Sequence, residues 1–361
     1  MNTRLSPEPE TCRDPQPDSR SGLGGAIRPG LAPGLLRDYV ARILSAPVYE
    51  VAHETPLQQA AQLSSRLGNR ILLKREDLQP VFSFKIRGAY AKLASLDAQA
   101  RAAGVICASA GNHAQGLALA ARHLQVKALI VMPANTPQIK VQGVRQQGAQ
   151  VLLQGDSFTQ ALEYAQLLAR LQGYSFIAPY DDPEVIAGQG TVAVELLRQQ
   201  AELDAVFVPV GGGGLIAGVA AYLKYLNPAI RVVGVEAEGS ACLKAALDSG
   251  KRVVLPSVDG FADGVAVAQV GVHNWALCRH LVDEVISVGN DEICAAIRQV
   301  YEDTRAITEP SGALAVAGLQ RYVARSGCRD RTLVAITSGA NINFASLRHV
   351  IERTEQMLSV A

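Results

Sequence analysis

A chain of 361 residues, 48% of them hydrophobic, has enough apolar mass for one large domain or two ordinary ones. Its 34 Lys and Arg against 33 Asp and Glu leave a formal charge of +1, so no field exists to hold nucleic acid or an anionic membrane, and a small-molecule partner is favoured. No apolar stretch approaches the ~20 residues needed to span a bilayer, because the run opening "LIAGVAAYL" soon meets Lys224.

In chain order, residues 1–34 are rich in Pro, Gly, Ser and Arg and almost free of large apolar side chains, so they are expected to be a disordered tail. Glu8, Glu10, Asp14 and Asp18 argue against an acid-poor transit peptide, and the apolar centre of a secretory signal is missing. From about Tyr39 onward, short β-branched runs alternate with longer amphipathic ones. The runs at 70–76, 104–109, 127–133, 149–155, 205–210, 231–238 and 331–339 predict strands, several continuous enough to be covered on both faces. Helical patterns such as Ile216, Val219, Ala220, Leu223 and Leu226 lie between them. This alternation predicts an α/β protein with mostly parallel sheet, whose ligands bind beyond the carboxyl ends of the strands, in loops leading into helices. The six cysteines, at positions 12, 107, 242, 278, 294 and 328, form no CxxC pair and no metal-ligand spacing, which suits reduced thiols and gives no metal site.

Residues 82–88 read "FSFKIRG" and seat Lys85 between Phe84 and Ile86. Taken alone, Lys85 reads as a helix-opening residue with a solvated nitrogen; the alternative is a nitrogen kept dry and partly neutral for use as a nucleophile. Four loops bear on the choice. The run "VPVGGGGLIAGVA" places Gly211, Gly212, Gly213 and Gly214 between a strand and a helix, where turned amides and the positive helix end make an anion site suited to phosphate. It lacks the Walker lysine and is not GxGxxG, so a nucleotide reading is poor. "ASAGNHAQG" puts Ser109, Gly111 and Asn112 at a helix start, either as a carboxylate binder or as an ordinary cap, with His113 reading as a packed histidine. "ITSGANIN", with Ser338, Gly339 and Asn341, reads as a turn, and "TEPSGALAVAGL" as Ser311 capping a helix.

Together, "KREDLQPVFSFKIRGAY", "SAGNHAQG", "GQGTVAVELL", "PVGGGGLIAGVA" and "SGANIN", in this order and spacing, resemble the pyridoxal-phosphate enzymes of the tryptophan-synthase-β-like group, fold type II. Within that group the set is similar to the threonine-dehydratase (threonine-deaminase) branch, from about Tyr39 to Met357. The resemblance implies two open, mostly parallel twisted sheets flanked by helices, with a smaller domain at 104–183 inserted in a larger one at 35–103 and 184–361. It implies pyridoxal 5'-phosphate as cofactor, with Lys85 as the lysine that binds it as an imine and Phe84 against the pyridine ring. Asn112 then falls on the ring hydroxyl, Gly211, Gly212, Gly213, Gly214 and Leu215 form the phosphate cradle, and Ser338 faces the ring nitrogen. Ser109, Gly111 and His113 fall in the loop that contacts the substrate carboxylate. A neutral hydroxyl at the ring nitrogen supports a weaker electron sink than an aspartate, which favours prompt loss of a β-substituent.

The implied activity is α,β-elimination of water from L-threonine, and from L-serine, giving 2-oxobutanoate or pyruvate with ammonia, the first step of isoleucine biosynthesis. Serine dehydration, serine racemisation and hydroxyaspartate dehydration stay open, since one methyl group in a pocket is worth only about 1–3 kcal/mol. A non-catalytic cofactor-binding protein on the same fold stays open as well. The resemblance further implies a cytoplasmic homodimer or homotetramer without nucleic-acid or membrane partners. The chain reaches "HVIERTEQMLSVA" where such enzymes begin an isoleucine-binding C-terminal regulatory domain, so that domain and its feedback inhibition are expected to be absent.

Overall fold

The computed structural model describes residues 24–360. Among these, the strands are β1 (Leu57–Gln59), β2 (Arg70–Arg75), β3 (Val105–Ala108), β4 (Ala128–Met132), β5 (Gln150–Leu153), β6 (Ser175–Phe176), β7 (Ala205–Pro209), β8 (Arg231–Ala237), β9 (Glu284–Val288) and β10 (Thr332–Thr337). They form a six-stranded sheet in the order β1-β2-β10-β7-β8-β9 and a four-stranded sheet in the order β5-β4-β3-β6. Every pairing is parallel except β1 with β2. The smaller sheet uses only chain that lies between β2 and β7, so it is inserted in the larger one, as expected.

β7 and most of β8 are buried because helices cover both faces of the larger sheet. On one face Ile186 and Val192 of the helix Pro183–Gln199 pack with Ile216 and Val219 of the helix Gly214–Leu226. On the other, Ile293 and Ile297 of the helix Asn290–Thr304 meet Leu314 and Val316 of the helix Pro310–Ser326. The smaller sheet is likewise enclosed, by Leu117, Tyr90 and Leu93 on one side and Ala161 and Ala165 on the other.

The helix Lys85–Ala94 lies between the two sheets and touches both sets of helices main chain to main chain. A Cβ on Gly188 would stand 2.6 Å from the Arg87 carbonyl oxygen, and one on Gly116 would stand 3.1 Å from the Ile86 nitrogen. Any side chain at Gly188 would therefore push the helix off its seat, and one at Gly116 would force it to give by a few tenths of an ångström.

Residues 1–23 of the expected tail lie outside the described residues. From residue 24 on the chain is docked: Gly25 N donates to Ala229 O at 2.8 Å, Arg28 N to His280 O at 2.8 Å and Ala26 N to Asp283 Oδ1 at 2.8 Å. The boundary expected at residue 34 is thus not where the ordered chain begins. Backbone hydrogen bonds hold this stretch, so it carries no apolar signal in the sequence. Among the described residues no helix is long and apolar enough to cross a membrane.

Candidate active site

β2, β10 and β7 are parallel neighbours, so the loops that follow them leave the same edge of the larger sheet. The segment after β2 is zipped to the loop after β10: Phe84 N donates to Ser338 O at 3.2 Å, Ala340 N to Phe82 O at 2.9 Å, and Ser83 bridges Gly339. Phe84 is the N-cap of the helix that Lys85 opens. The loop after β3 adds Asn112 from the smaller sheet. One cavity is lined by Phe84, Lys85, Asn112, Gly211, Gly212, Gly213, Gly214, Leu215 and Ser338, together with Tyr180, Val265, Glu309 and Ser311.

Lys85 Nζ donates to Pro179 O at 3.0 Å and lies 5.2 Å from the centroid of the Phe84 ring. Burial lowers its pKa from 10.5 to about 8, against the upward pull of the Glu309 charge. The apolar setting of the "FSFKIRG" stretch therefore yields an amine with a usable neutral fraction, as a nucleophile requires.

The glycine run leads into the helix Gly214–Leu226 with Gly213 at φ 95°. The Gly212 carbonyl is tied back, accepting from Asn274 Nδ2 at 2.7 Å and Gly271 N at 3.0 Å. The amides of Gly211, Gly212 and Gly213 have no hydrogen-bond partner among the described residues. A Cβ on Gly212 would clash with the Tyr180 ring, and one on Gly214 would stand 2.9 Å from Tyr180 O. Free amides, a helix N-terminus and no side chains make a hollow that fits a phosphate.

Asn112 starts the helix Asn112–His123, with Gly111 as its N-cap, and its side chain turns away from that helix: Nδ2 donates to Glu309 Oε1 at 2.6 Å. Ser338 is buried and its Oγ donates to Ser311 O at 3.1 Å. An aldehyde-bearing aromatic phosphate thus meets an amine, a ring-facing phenyl group, an amide, a neutral hydroxyl and an anion hollow in one space, so the residues fit pyridoxal 5'-phosphate.

Ser109, Gly111 and His113 are not among the residues lining the cavity. Ser109 Oγ accepts from Gly111 N at 3.2 Å, in the loop that leads to Asn112. His113 Nε2 lies 3.0 Å from Ile177 O, and burial, with the Lys85 charge, lowers its pKa to about 3, so the ring is neutral. Among the described residues no group of three or more His, Cys, Asp or Glu could hold a metal ion.

Several cavity residues escaped the sequence reading, among them Tyr180, Val265 and Glu309. Ser311 does not cap its helix: the N-cap of Pro310–Ser326 is Glu309, and Ser311 Oγ donates to Glu309 Oε1 at 2.9 Å. Burial raises the Glu309 pKa to about 7, with the Asp263 charge adding; hydrogen bonds from Asn112 and Ser311 and the Lys140 charge oppose it. A glutamate before a proline at a helix start is the only sequence signal for it, and that pattern reads first as a cap.

A family model described as pyridoxal-phosphate dependent enzyme matches residues 48–339. L-threonine dehydratase biosynthetic IlvA of Escherichia coli (strain K12) is 56% identical over 318 residues, which cover 88% of this chain and 62% of that relative. The chain therefore spans less than two thirds of the length of this curated relative. The processed form of threonine deaminase isoform 2 from Solanum lycopersicum superposes with a TM-score of 0.89 at 48% identity, covering 92% of this chain and 96% of that one. Maize serine racemase superposes with a TM-score of 0.80 at 31% identity, covering 93% of this chain and 99% of that one.

Proposed function

The chain belongs to the family of pyridoxal-phosphate-dependent enzymes, and from that premise we propose that it dehydrates and deaminates L-threonine to 2-oxobutanoate and ammonia. The observation that carries the reading is the single cavity lined by Lys85, Asn112, the four glycines and Ser338. The names of the similar dehydratase and deaminase support threonine as the substrate.

Pyridoxal 5'-phosphate, when bound, supplies the electron sink that makes the proton on the substrate's α-carbon removable. Gly211 to Gly214 and Leu215 would hold its phosphate with main-chain amides and the helix end, Asn112 and Ser338 would serve the ring hydroxyl and ring nitrogen, and Phe84 would lie against the ring. Lys85 would be the residue that holds the cofactor and, as a free amine, the general base for the substrate's α-proton. Its pKa of about 8 leaves it neutral often enough for both tasks. The loop of Ser109, Gly111 and His113 holds the substrate carboxylate at a helix start, where the dipole favours an anion. One water leaves from the β-carbon, carrying the hydroxyl oxygen, and another adds at the α-carbon to supply the oxo oxygen, so the overall change from threonine to 2-oxobutanoate and ammonia consumes no net water.

The likeness to maize serine racemase supports a second reading, a serine-directed activity of the same lysine and cradle. Under either reading the partner is a small amino acid, the division at 104–183 makes the smaller domain, and the chain works as a homodimer or homotetramer in the cytoplasm. A near-neutral net charge and the unpaired, buried cysteines 107, 242, 278, 294 and 328 support that compartment.

The test is holoenzyme turnover on L-threonine, L-serine and 3-hydroxyaspartate, read as 2-oxo acid and ammonia, with D-serine measured from L-serine and K85A as the control. The expected result is 2-oxobutanoate from threonine and none from K85A. Turnover of serine alone favours the second reading. Bound cofactor with neither ammonia from any of the three nor D-serine from L-serine would leave a non-catalytic binding protein.

A further inference from the structure

A primary amide offers two N–H donors and one carbonyl acceptor. At Asn112 two of these are spent inside the protein. Its Oδ1 accepts from Asn341 Nδ2 at 2.7 Å, and its Nδ2 donates one hydrogen to Glu309 Oε1 at 2.6 Å. Asn341 cannot turn to release it, because its Nδ2 also donates to Val81 O at 2.8 Å, so both of its hydrogens are committed. A flipped Asn112 would point its NH2 at the NH2 of Asn341, a repulsive contact whatever the charge on Glu309, and its carbonyl at a Glu309 oxygen that repels it whenever the carboxyl is ionised. The network thus settles the amide's orientation, which distance alone leaves open. One N–H of Asn112 is left over, and Asn112 lines the cavity.

We propose that Glu309 and Asn341 are positioning residues that clamp Asn112 from its two ends, so that it presents a hydrogen-bond donor, and never its carbonyl, to the ring hydroxyl of the cofactor. A fixed donor favours the ionised form of that hydroxyl, because a hydrogen bond to an anion is stronger than one to a neutral oxygen. The inference rests on the cofactor reading of the cavity and is independent of the choice of substrate.

Two details of the site support the clamp. Ser311 Oγ donates to the same Glu309 Oε1 at 2.9 Å and so fixes the acceptor in place. A Cβ on Gly339 would stand 2.5 Å from Glu309 Oε1 and 3.2 Å from Asn112 Nδ2, so the turn after β10 leaves that space to the clamp. An oxygen accepts from Asn112 whether Glu309 is ionised or protonated, and the groups facing it with charge are Lys85, Asp263 and Lys140. A glutamine at 309 keeps the accepting oxygen, whereas an alanine removes it.

The experiment titrates pyridoxal 5'-phosphate into the apoenzyme and records the dissociation constant and the visible absorption of the bound cofactor. E309A should weaken binding about tenfold, the effect of one lost hydrogen bond to a buried group, and alter the absorption, while E309Q stays within about threefold of the parent. In the N112A background E309A should add nothing, because a residue acting through Asn112 has nothing left to act on. Equal losses from E309A in both backgrounds, or E309Q as damaging as E309A, would overturn the clamp. Should E309A fail to fold, N341A carries the same test from the other end, with loss in the parent and none in N112A expected, and equal losses overturning it. A parent apoenzyme that takes up no cofactor would sink the reading of the cavity itself, which is a different failure from equal losses.

Discussion

The guanidinium of Arg87 grips the carboxylate of Glu195 by two hydrogen bonds, Nη1 to Oε1 at 2.6 Å and Nη2 to Oε2 at 3.0 Å, with neither side chain exposed. The same guanidinium holds Glu76 through Nε and Nη2, both at 2.8 Å, and Lys74 Nζ stands 2.6 Å from Glu195 Oε2. Two cations and two carboxylates are thus closed off together around Arg87, in the first turn of the helix that Lys85 opens. E195A would strand Arg87 and Lys74 with a single carboxylate, and removing one partner of a buried pair costs about 3–5 kcal/mol. Urea unfolding of the cofactor-free variant should show that loss. A change below about 1 kcal/mol, typical of exposed pairs, would mean that water reaches the cluster.

The cradle predicts a steric result. A methyl group at Gly212 would strike the Tyr180 ring, so G212A should raise the dissociation constant of pyridoxal 5'-phosphate by roughly 5- to 150-fold, since overpacking a rigid site costs roughly 1–3 kcal/mol. Removing the ring in Y180A should recover part of the loss. If the double variant binds no better than G212A, the collision is not with Tyr180.

Lys85 gives the cofactor-free chain a pH signature. Burial holds its pKa near 8 in the folded state, against 10.5 for an unhindered lysine. Between these values the unfolded chain binds more protons than the folded one, so stability should rise with pH from about 8 to 10.5. Other buried lysines, Lys74 and Lys224, move the same way, so the readout is the difference between the parent and K85M. That difference should be largest below pH 8 and vanish above 10.5. Parallel stability curves for the two would show that the Lys85 ammonium is well solvated.

Most strands legible in the sequence have helices on both faces, such as Ala205–Pro209 and Ala128–Met132, whose apolar runs announce them. Leu57–Gln59 and Ser175–Phe176 were not, because three and two residues at a sheet edge are too short to show a pattern, and Glu284–Val288, also at an edge, mixes polar with apolar residues; the edge strand Gln150–Leu153 was legible only because it keeps an apolar run. The glycine run and Lys85 announced themselves by local chemistry, since four adjacent glycines and a lysine among phenylalanines both break local rules. Glu309 obeyed one, standing where helix caps stand, and only its contact with Asn112 across 197 positions shows what it does. Residues 24–28 were unreadable for the opposite reason: what Gly25, Ala26 and Arg28 contribute to their docking is main-chain N–H, which any sequence supplies.

The helix of Lys85 rests on bare backbone at both Gly188 and Gly116, neither of which lines the cavity. A single methyl group at either would act as a shim, shifting the reactive nitrogen bodily relative to the cradle while every ligand-facing side chain stayed the same. Tolerance to mutation in this chain should therefore follow distance from the axis of one helix as closely as distance from the ligand, and a homologue ranked by its cavity residues alone would be misjudged.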